Sequence, residues 1–597
     1  MSSASSKQLV AALRWGMSDA DWAQLTRTIE PLRPAARTAK GRGRAADGGD
    51  PQACVEHWLH NPGTPLVSRP DAAALLAWVT LAGASDCPWA ASVRSDLRER
   101  LDAWTDTFTD DPVMDLWWNV ELPLLRGVLD HALGGDGLRR GDDIRQVHDQ
   151  ARSTEADHAA SAALERSWPM WMDAEGVPHA TVLDDIWLLL ASWTRCFAHR
   201  ERLSLDAWSD NLIEQFDRFI QQLCRLVRTD GAPLFPERNG SLPSPELLEA
   251  AFERVPHEET RATARLAGLL SSTPKGGGNS GGRGKSASRD PVEPPELPGL
   301  PLLPCYAEGT GLAVMRGDWT SAALQVAASF VHHQSSCSIV AGRQTWISGE
   351  WESRLAINGR PLSATAPWRE VLWFSDDEVD YWEWELYLED DWRVQRQLLL
   401  YRPAKWCLLA DAILGEQPAH IDYHGSWQLA ANAAFQPAAD SHEGRLETRQ
   451  GRAIVLPLAL PEWRAEASSG TLAANDGRLT MRLQRDGQAL YAPLFVMADP
   501  RLGRQPFTWR RLTVAESLKI VTLDMAAGYR VQFGRKQWTF YRALGAEANR
   551  TLLGQNVSSN FLACELQTDG LARPLVRIEA SSGGRIGPDA APRADHR

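Results

Sequence analysis

The side chains best suited to chemistry are imidazoles and carboxylates gathered between positions 323 and 430. His332 and His333 end the run Ser329-Phe330-Val331, and imidazole titrates near neutral pH, so it can pass a proton or hold a metal. Read as strand residues they face opposite ways, and at least one looks away from the core. A second cluster, His420, Asp422 and His424, falls at i, i+2 and i+4 of a strand and so on one face. Neighbouring members would lie about 7 Å apart and the two histidines about 13 Å apart. One zinc, with bonds of about 2.1 Å, would take an adjacent pair but not all three. The other reading is a solvated strand face beside buried Ile421, Tyr423 and Trp427. Glu383, Glu385 and Glu389 share one face of the alternating stretch Tyr381 to Glu389, opposite Trp382, Trp384, Leu386 and Leu388. That pattern predicts a strand with one wet side. Glu383 and Glu385 would meet the roughly 6.5–9.5 Å carboxyl separation of an inverting glycoside hydrolase, as would any strand with acids on its wet face.

The elements that must carry these residues fall into two halves. From Ser18 to about residue 270 the hydrophobic period is helical, with Ser18 as N-cap of a helix that stops before Pro34 and a loop over 40–51. Paired segments follow: 71–81 with 88–108, 112–133 with 142–166, and 182–200 with 205–228. Leu183, Ile186, Trp187, Leu190, Trp193 and Phe197 form one buried stripe, and Leu212, Phe216, Phe219, Ile220, Leu223 and Val227 another. Successive helical hairpins suit an α/α toroid over residues 1–270. Residues 271–300 are rich in Gly, Ser and Pro and read as a linker. Short strands with turn punctuation then predict a large antiparallel β-sandwich over 301–572, and a Gly, Pro and charge-rich tail over 573–597 is expected to be disordered.

Composition narrows the partners. A net charge of −13 in 597 residues disfavours nucleic acid, which needs a positive footprint, and requires a local basic patch for any acidic polymer. The 26 tryptophans suit stacking on sugar rings, or simply cores and interfaces. Eight cysteines without a CxxC pair read as buried free thiols. No apolar run approaches the length of a membrane span, and the first fifteen residues lack the apolar core of a signal peptide, so a soluble, cytoplasmic protein is expected.

The order of a helical array, a glycine-rich linker and a β-sandwich resembles the heparinase II/III-like polysaccharide lyases. Gly311-Leu312-Ala313-Val314-Met315-Arg316-Gly317-Asp318-Trp319 resembles that family's opening sandwich strand. Residues 329–349 resemble its His-rich strand pair, and Arg396-Gln397-Leu398-Leu399-Leu400-Tyr401 with Trp406-Cys407-Leu408-Leu409-Ala410-Asp411 its later pair ending in an acid. The resemblance implies β-elimination on a uronate-containing polysaccharide, which needs the carboxylate neutralised, a base for the adjacent carbon-bound proton and an acid for the leaving oxygen. It also implies a zinc ion on the sandwich side. Carried onto this sequence, it makes His332 the acid or base, puts Asn119 or Arg354 on the carboxylate, and makes His333 a metal ligand, with Glu350 beside it, or an orienting group. Trp117, Trp118, Trp351, Arg343 and His424 are the expected substrate contacts. Asn119, in Leu116-Trp117-Trp118-Asn119-Val120-Glu121, can equally be a satisfied polar residue on an apolar helix, which Pro123 should kink.

The sequence departs from the family at defined places. With Ser338 on the family's serine, Val331 and Ser335 replace the first His and the Asp of its motif, unless a one-residue bulge brings His332 into register. Ile347-Ser348-Gly349 stands where the family has Asp-Pro-Gly, and no tyrosine precedes Tyr306. Two functions follow: a lyase acting on acidic polysaccharide, or a catalytically inactive glycan-binding or assembly protein of the same fold. The oligomeric state is open.

Overall fold

The computed structural model describes residues 69–82, 89, 91–102, 111–135, 143–228, 230–235, 243–270, 303–320, 322–567 and 571–579. The helix expected from Ser18, the 271–300 linker and residues 580–597 lie outside the described residues. The chain divides into two compact units, Met1–Leu312 and Ala313–Arg597.

The first unit is helical: α1 (Arg69–Ala82), α2 (Ala91–Asp102), α3 (Pro112–Leu116), α4 (Leu122–Gly135), α5 (Asp143–Trp171), α6 (Ile186–Arg202), α7 (Asp210–Arg225), α8 (Pro245–Glu253) and α9 (Glu258–Leu266). The predicted stripes are what α6 and α7 bury: Trp193 of α6 meets Trp168 at 4.8 Å and Phe216 at 5.0 Å between ring centroids. Helix starts follow the capping rule, with Ser209 and Ser244 each accepting from a backbone N–H three residues on. Pro123 does not simply kink its helix. Between α3 and α4 the chain makes a π turn, Trp117–Glu121, closed by the Leu122 N–H on the Trp117 carbonyl. Proline offers no N–H to the carbonyl four residues back, and a π turn absorbs the fault within a continuous helix.

The second unit is built on one large antiparallel sheet. Its strands are β1 (Leu312–Arg316), β2 (Leu324–Val331), β3 (Gln334–Ala341), β4 (Gln344–Ile357), β5 (Arg369–Ser375), β6 (Val379–Tyr387), β7 (Arg393–Tyr401), β8 (Trp406–Leu429), β9 (Ala434–Pro437), β10 (Gly444–Glu447), β11 (Arg452–Pro457), β12 (Gly470–Asn475) and β13 (Arg478–Met497). The path runs β1-β2-β3-β4-β8-β13-β11-β10-β9, with β7, β6 and β5 leaving from β8 and β12 joining β13. The 24-residue strand β8 pairs with β7 through its first half and with β4 through its second. The register against β13 shifts between Leu414 and Ala419, where Gly415 and Pro418 interrupt the ladder. A five-stranded sheet follows, from β14 (Phe507–Leu512) through β15 (Ala526–Phe533), β16 (Lys536–Ala543) and β17 (Phe561–Leu566) to β18 (Ala572–Ile578). The ring of Trp406 packs against Phe495 within the large sheet at 5.2 Å and against Trp538 and Phe540 of the five-stranded one at 5.7 and 5.5 Å.

Two expectations change. β6 has no wet side. Trp382 and Trp384 are buried on one face, and Glu383 and Glu385, only 3% and 4% exposed, on the other. Arg542 of β16 covers Glu383, and Phe561 of β17 stacks on Tyr381 at 5.1 Å. The last strand runs to Ile578, paired with β17, so ordered sheet continues past the expected boundary at 572. The described cysteines are free and buried, as expected.

Gly415 is the one residue that fits the switch in β8, because a Cβ there would stand 2.7 Å from three ring atoms of Trp392. Gly415→Val is expected to lower stability by about 1–3 kcal/mol through overpacking, seen as a lower midpoint in guanidinium unfolding; an unchanged midpoint would count against this role.

Candidate functional site

The two neighbouring histidines are not strand residues. They are the turn of the β2–β3 hairpin: β2 stops at Val331, β3 begins at Gln334, and His332 takes φ 52°. A two-residue hairpin turn demands positive φ, and histidine is among the non-glycine residues that accept it. Both imidazoles are therefore exposed together. The turn is tied down by Trp368, whose backbone N–H donates to the His332 carbonyl at 2.8 Å and whose indole Nε1 donates to the His333 carbonyl at 3.1 Å. His333 Nδ1 lies 3.1 Å from the Ala366 carbonyl, which fixes that ring as well.

Trp368 is itself held by a buried cation. The Arg396 guanidinium of β7, wholly excluded from solvent, lies between the rings of Trp351 and Trp368 at 4.1 and 4.9 Å from their centroids. Its Nε and Nη2 donate to the two oxygens of Asp411 on β8 at 2.8 and 3.0 Å, and Nη1 donates to the Trp351 carbonyl at 2.7 Å and to Ser335 Oγ at 3.0 Å. Nη2 also donates to Ser353 Oγ, so every N–H of the fork is used. Asp411 Oδ2 further accepts from Tyr423 Oη at 2.8 Å and from Ser353 Oγ. Burial, then the Asp411 charge, pushes the Tyr423 phenol well above its usual range. A buried ion pair survives desolvation only when its remaining polar positions are filled, and here they are.

This geometry corrects one expectation directly. Trp351 offers no face to a sugar: it is 1% exposed, Arg396 covers its ring, and Trp384 meets it edge-on at 5.8 Å. Ser335, which stands where the resemblance would place an aspartate, accepts from Arg396 instead.

The expected face of His420, Asp422 and His424 exists, but its members are dispersed among cross-strand partners. His420 pairs with Asp486 at 2.7 Å, and Gln484 donates to Asp422 at 3.2 Å. His424 stands between Arg354 of β4 and Arg482 of β13; burial, then those two arginines, lowers its pKa and keeps the imidazole neutral. Arg354 is exposed and donates to Glu352 at 2.8 Å, and Glu350 is paired with Arg478. Glu383 and Glu385 are in ion pairs with Arg542 and Arg369, which leaves no free carboxylate couple for hydrolysis. Arg343 is exposed in the β3–β4 turn, at the opposite end of β3 from the histidines.

In the helical unit, Trp117 and Trp118 are buried rather than presented as platforms, because the π turn carries both into the core. Asn119 donates its amide to Asp115 Oδ1 at 2.6 Å, and Asp115 also accepts from Ser167. Sequence reasoning missed the neighbouring cluster. Glu121, fully buried, accepts from Arg195 Nε at 2.5 Å and Nη2 at 2.8 Å and from Ser192 at 2.5 Å, with His199 Nε2 at 3.7 Å. Burial opposes ionisation of Glu121, yet Arg195 overcomes it and holds the carboxyl at about 2. The spacing of Ser192, Arg195 and His199, one polar line along an apolar helix, was the available signal.

The resemblance implies a zinc ion on the sandwich side. Among the described residues no three His, Cys, Asp or Glu side chains are grouped to hold a metal ion. His333 and Glu350, the expected ligands, are turned to the Ala366 carbonyl and to Arg478. These residues do not form a metal centre.

No family model and no curated protein matches the chain. Solved structures do. A heparinase III matches with a TM-score of 0.52 at 12% identity, covering 88% of this chain and 91% of that one. A heparan sulfate lyase HepC mutant from Pedobacter heparinus matches at 0.51 and 11% identity over 85% and 78%, and the heparinase III BT4657 gene product at 0.51 and 8% over 87% and 90%. This is a heparinase III-like lyase fold. Within that fold the described helices include none long and apolar enough to cross a membrane.

Asp411→Asn would leave the Arg396 charge buried without its counter-charge, and it is expected to cost about 3–5 kcal/mol in urea unfolding. A loss below about 1 kcal/mol would show that the pair does not hold this part of the lyase fold.

Proposed function

We propose that the chain is a polysaccharide-lyase-like protein, an α/α toroid followed by a β-sandwich, that engages uronate-containing acidic polysaccharide and cleaves it by β-elimination. The likeness to heparinase III over 88% of this chain and 91% of that one carries the reading, and the exposed, backbone-clamped histidine turn supplies the chemistry. In β-elimination a base removes the proton on the carbon next to the carboxylate. The electron pair forms a carbon–carbon double bond, and the glycosidic oxygen leaves and takes a proton. His332 is the proposed base or acid, suited by an imidazole that changes charge near neutral pH. His333, tethered through Nδ1, orients the chain or the turn. Arg354, exposed beside Glu352, is the proposed partner of the uronate carboxylate, with His424 as a neutral sugar contact.

A second reading has specific support: binding without cleavage. Arg354, Glu350 and Asn119 are each already engaged by a neighbour, and no tyrosine precedes Tyr306 to serve the helical side.

The two readings separate in one assay. The full chain incubated with heparan sulfate, chondroitin sulfate or an unsulfated polyuronate is expected to produce a steady rise in ultraviolet absorbance from the unsaturated product. His332→Ala should slow that rise by roughly 10²–10⁴-fold, the usual worth of a general acid or base. No rise on any of these polymers, with binding retained, would reject the lyase reading in favour of the second.

A further inference from the structure

We infer that the sheet unit carries a second anion-binding site, remote from the histidine turn, that takes an oligosaccharide bearing sulfate or carboxylate groups. Three turns converge on a cavity of about 910 Å³: the β3–β4 turn at Gly342 and Arg343, the β10–β11 hairpin at 448–451, and the segment 499–504 after β13. Trp346, Ile454 and Met497 also line it, and the buried Trp346 indole N–H has no hydrogen-bond partner. The volume is at the upper end of ligand-sized clefts, enough for several sugar rings.

Charge defines the ligand. Arg343, Arg452, Arg501, Arg504 and Lys405 line the cavity against two carboxylates, Glu447 and Asp499. Asp499 is spent on the turn itself, accepting from the N–H groups of Arg501 and Leu502 at 2.6 and 3.1 Å. Glu447 stands opposite Arg452 in the hairpin register. Lys405 donates to the Ala322 carbonyl at 3.1 Å, an acceptor that leaves its charge unbalanced. Among the described residues, Arg343, Arg452, Arg501 and Arg504 make no ion pair and their guanidinium groups no hydrogen bond. Elsewhere in the unit, Arg354, Arg369, Arg478, Arg542 and Arg573 all sit on carboxylates. Unpaired cations gathered in a concavity of a chain with net charge −13 are a local anion trap. Guanidinium forks match sulfate and carboxylate oxygens in pairs.

The rest of the lining suits sugar better than a nucleic acid. Gln344 and Gln450 offer amide groups to ring hydroxyls, while the Thr448 hydroxyl is taken up within its own turn. Gln344 Nε2 donates to the Gln450 carbonyl at 3.1 Å and ties two of the three turns together. The site is separate from the proposed chemistry: β3, of eight residues, lies between Arg343 and His333, a span of roughly 25–30 Å. The inference rests on the acidic-polysaccharide reading only for its choice of ligand and not for the cavity.

The test is calorimetric binding of a size-defined heparin octasaccharide to the full chain at two salt concentrations, with Arg452→Ala, Arg501→Ala and Arg504→Ala singly and combined, and Lys519→Ala as an exposed control away from the cavity. Each cavity substitution is expected to weaken binding by roughly tenfold and to flatten its salt dependence, while the control does neither and elimination by the combined variant on a short substrate is unchanged. Unaltered affinity in the combined variant would overturn the site. Equal or tighter binding of single-stranded RNA or polyphosphate in the same cavity would overturn the ligand class. Absence of elimination in every protein, with the binding differences intact, would reject the lyase reading and leave the site standing.

Discussion

The sheet unit depends on one buried electrostatic contact, the Arg396 guanidinium on the Asp411 carboxylate, enclosed by Trp351 and Trp368. Moving two charges out of water is costly, and the cost is offset only when each remaining donor and acceptor is filled. Ser335, Ser353, Tyr423 and the Trp351 carbonyl fill them. These partners come from β3, β4, β7 and β8, so the pair fixes four strands relative to one another. Through Trp368 it also fixes the backbone of His332 and His333. A candidate catalytic turn is thus positioned by an interior charge.

The two ends of β3 have different characters for the same topological reason. At one end the hairpin is clamped from below and displays two imidazoles. At the other, the β3–β4 turn faces the β10–β11 hairpin and the segment after β13, and the concavity between them is lined with arginine. Between these ends the sheet surface carries ion pairs, Arg354 with Glu352 along one strand and Arg478 with Glu350 between strands, each worth little in water. The anionic ligand class therefore follows from where the unpaired arginines are, not from how many the chain has.

Much of the architecture was legible in the sequence, because helical and strand periods are local. The stripes of α6 and α7 lie where their spacing put them, and the described strands follow the described helices in the chain. The site was less legible. Alternation in β6 announced a wet face for Glu383, but Arg542, 159 positions downstream, brings a second sheet over it, and no local pattern encodes that. Trp351 looked like a sugar platform because aromatic residues read alike from sequence; its face is taken by Arg396 from another strand. Alternation predicts that at least one of His332 and His333 faces outward; the hairpin turn exposes both. Arg343 is exposed, yet the arginines it joins in the cavity, Arg452, Arg501 and Arg504, lie more than a hundred residues away in the chain.

The zinc that the family resemblance implies has no ligand set among the described residues, where the interior Arg396–Asp411 pair braces the strands. Denaturant unfolding of the purified chain, with and without a strong chelator and with added zinc, tests this most directly. A metal bound only by the folded state would raise stability with its concentration. The account predicts superimposable unfolding curves in all three conditions; a midpoint that falls on chelation and recovers with zinc would contradict it.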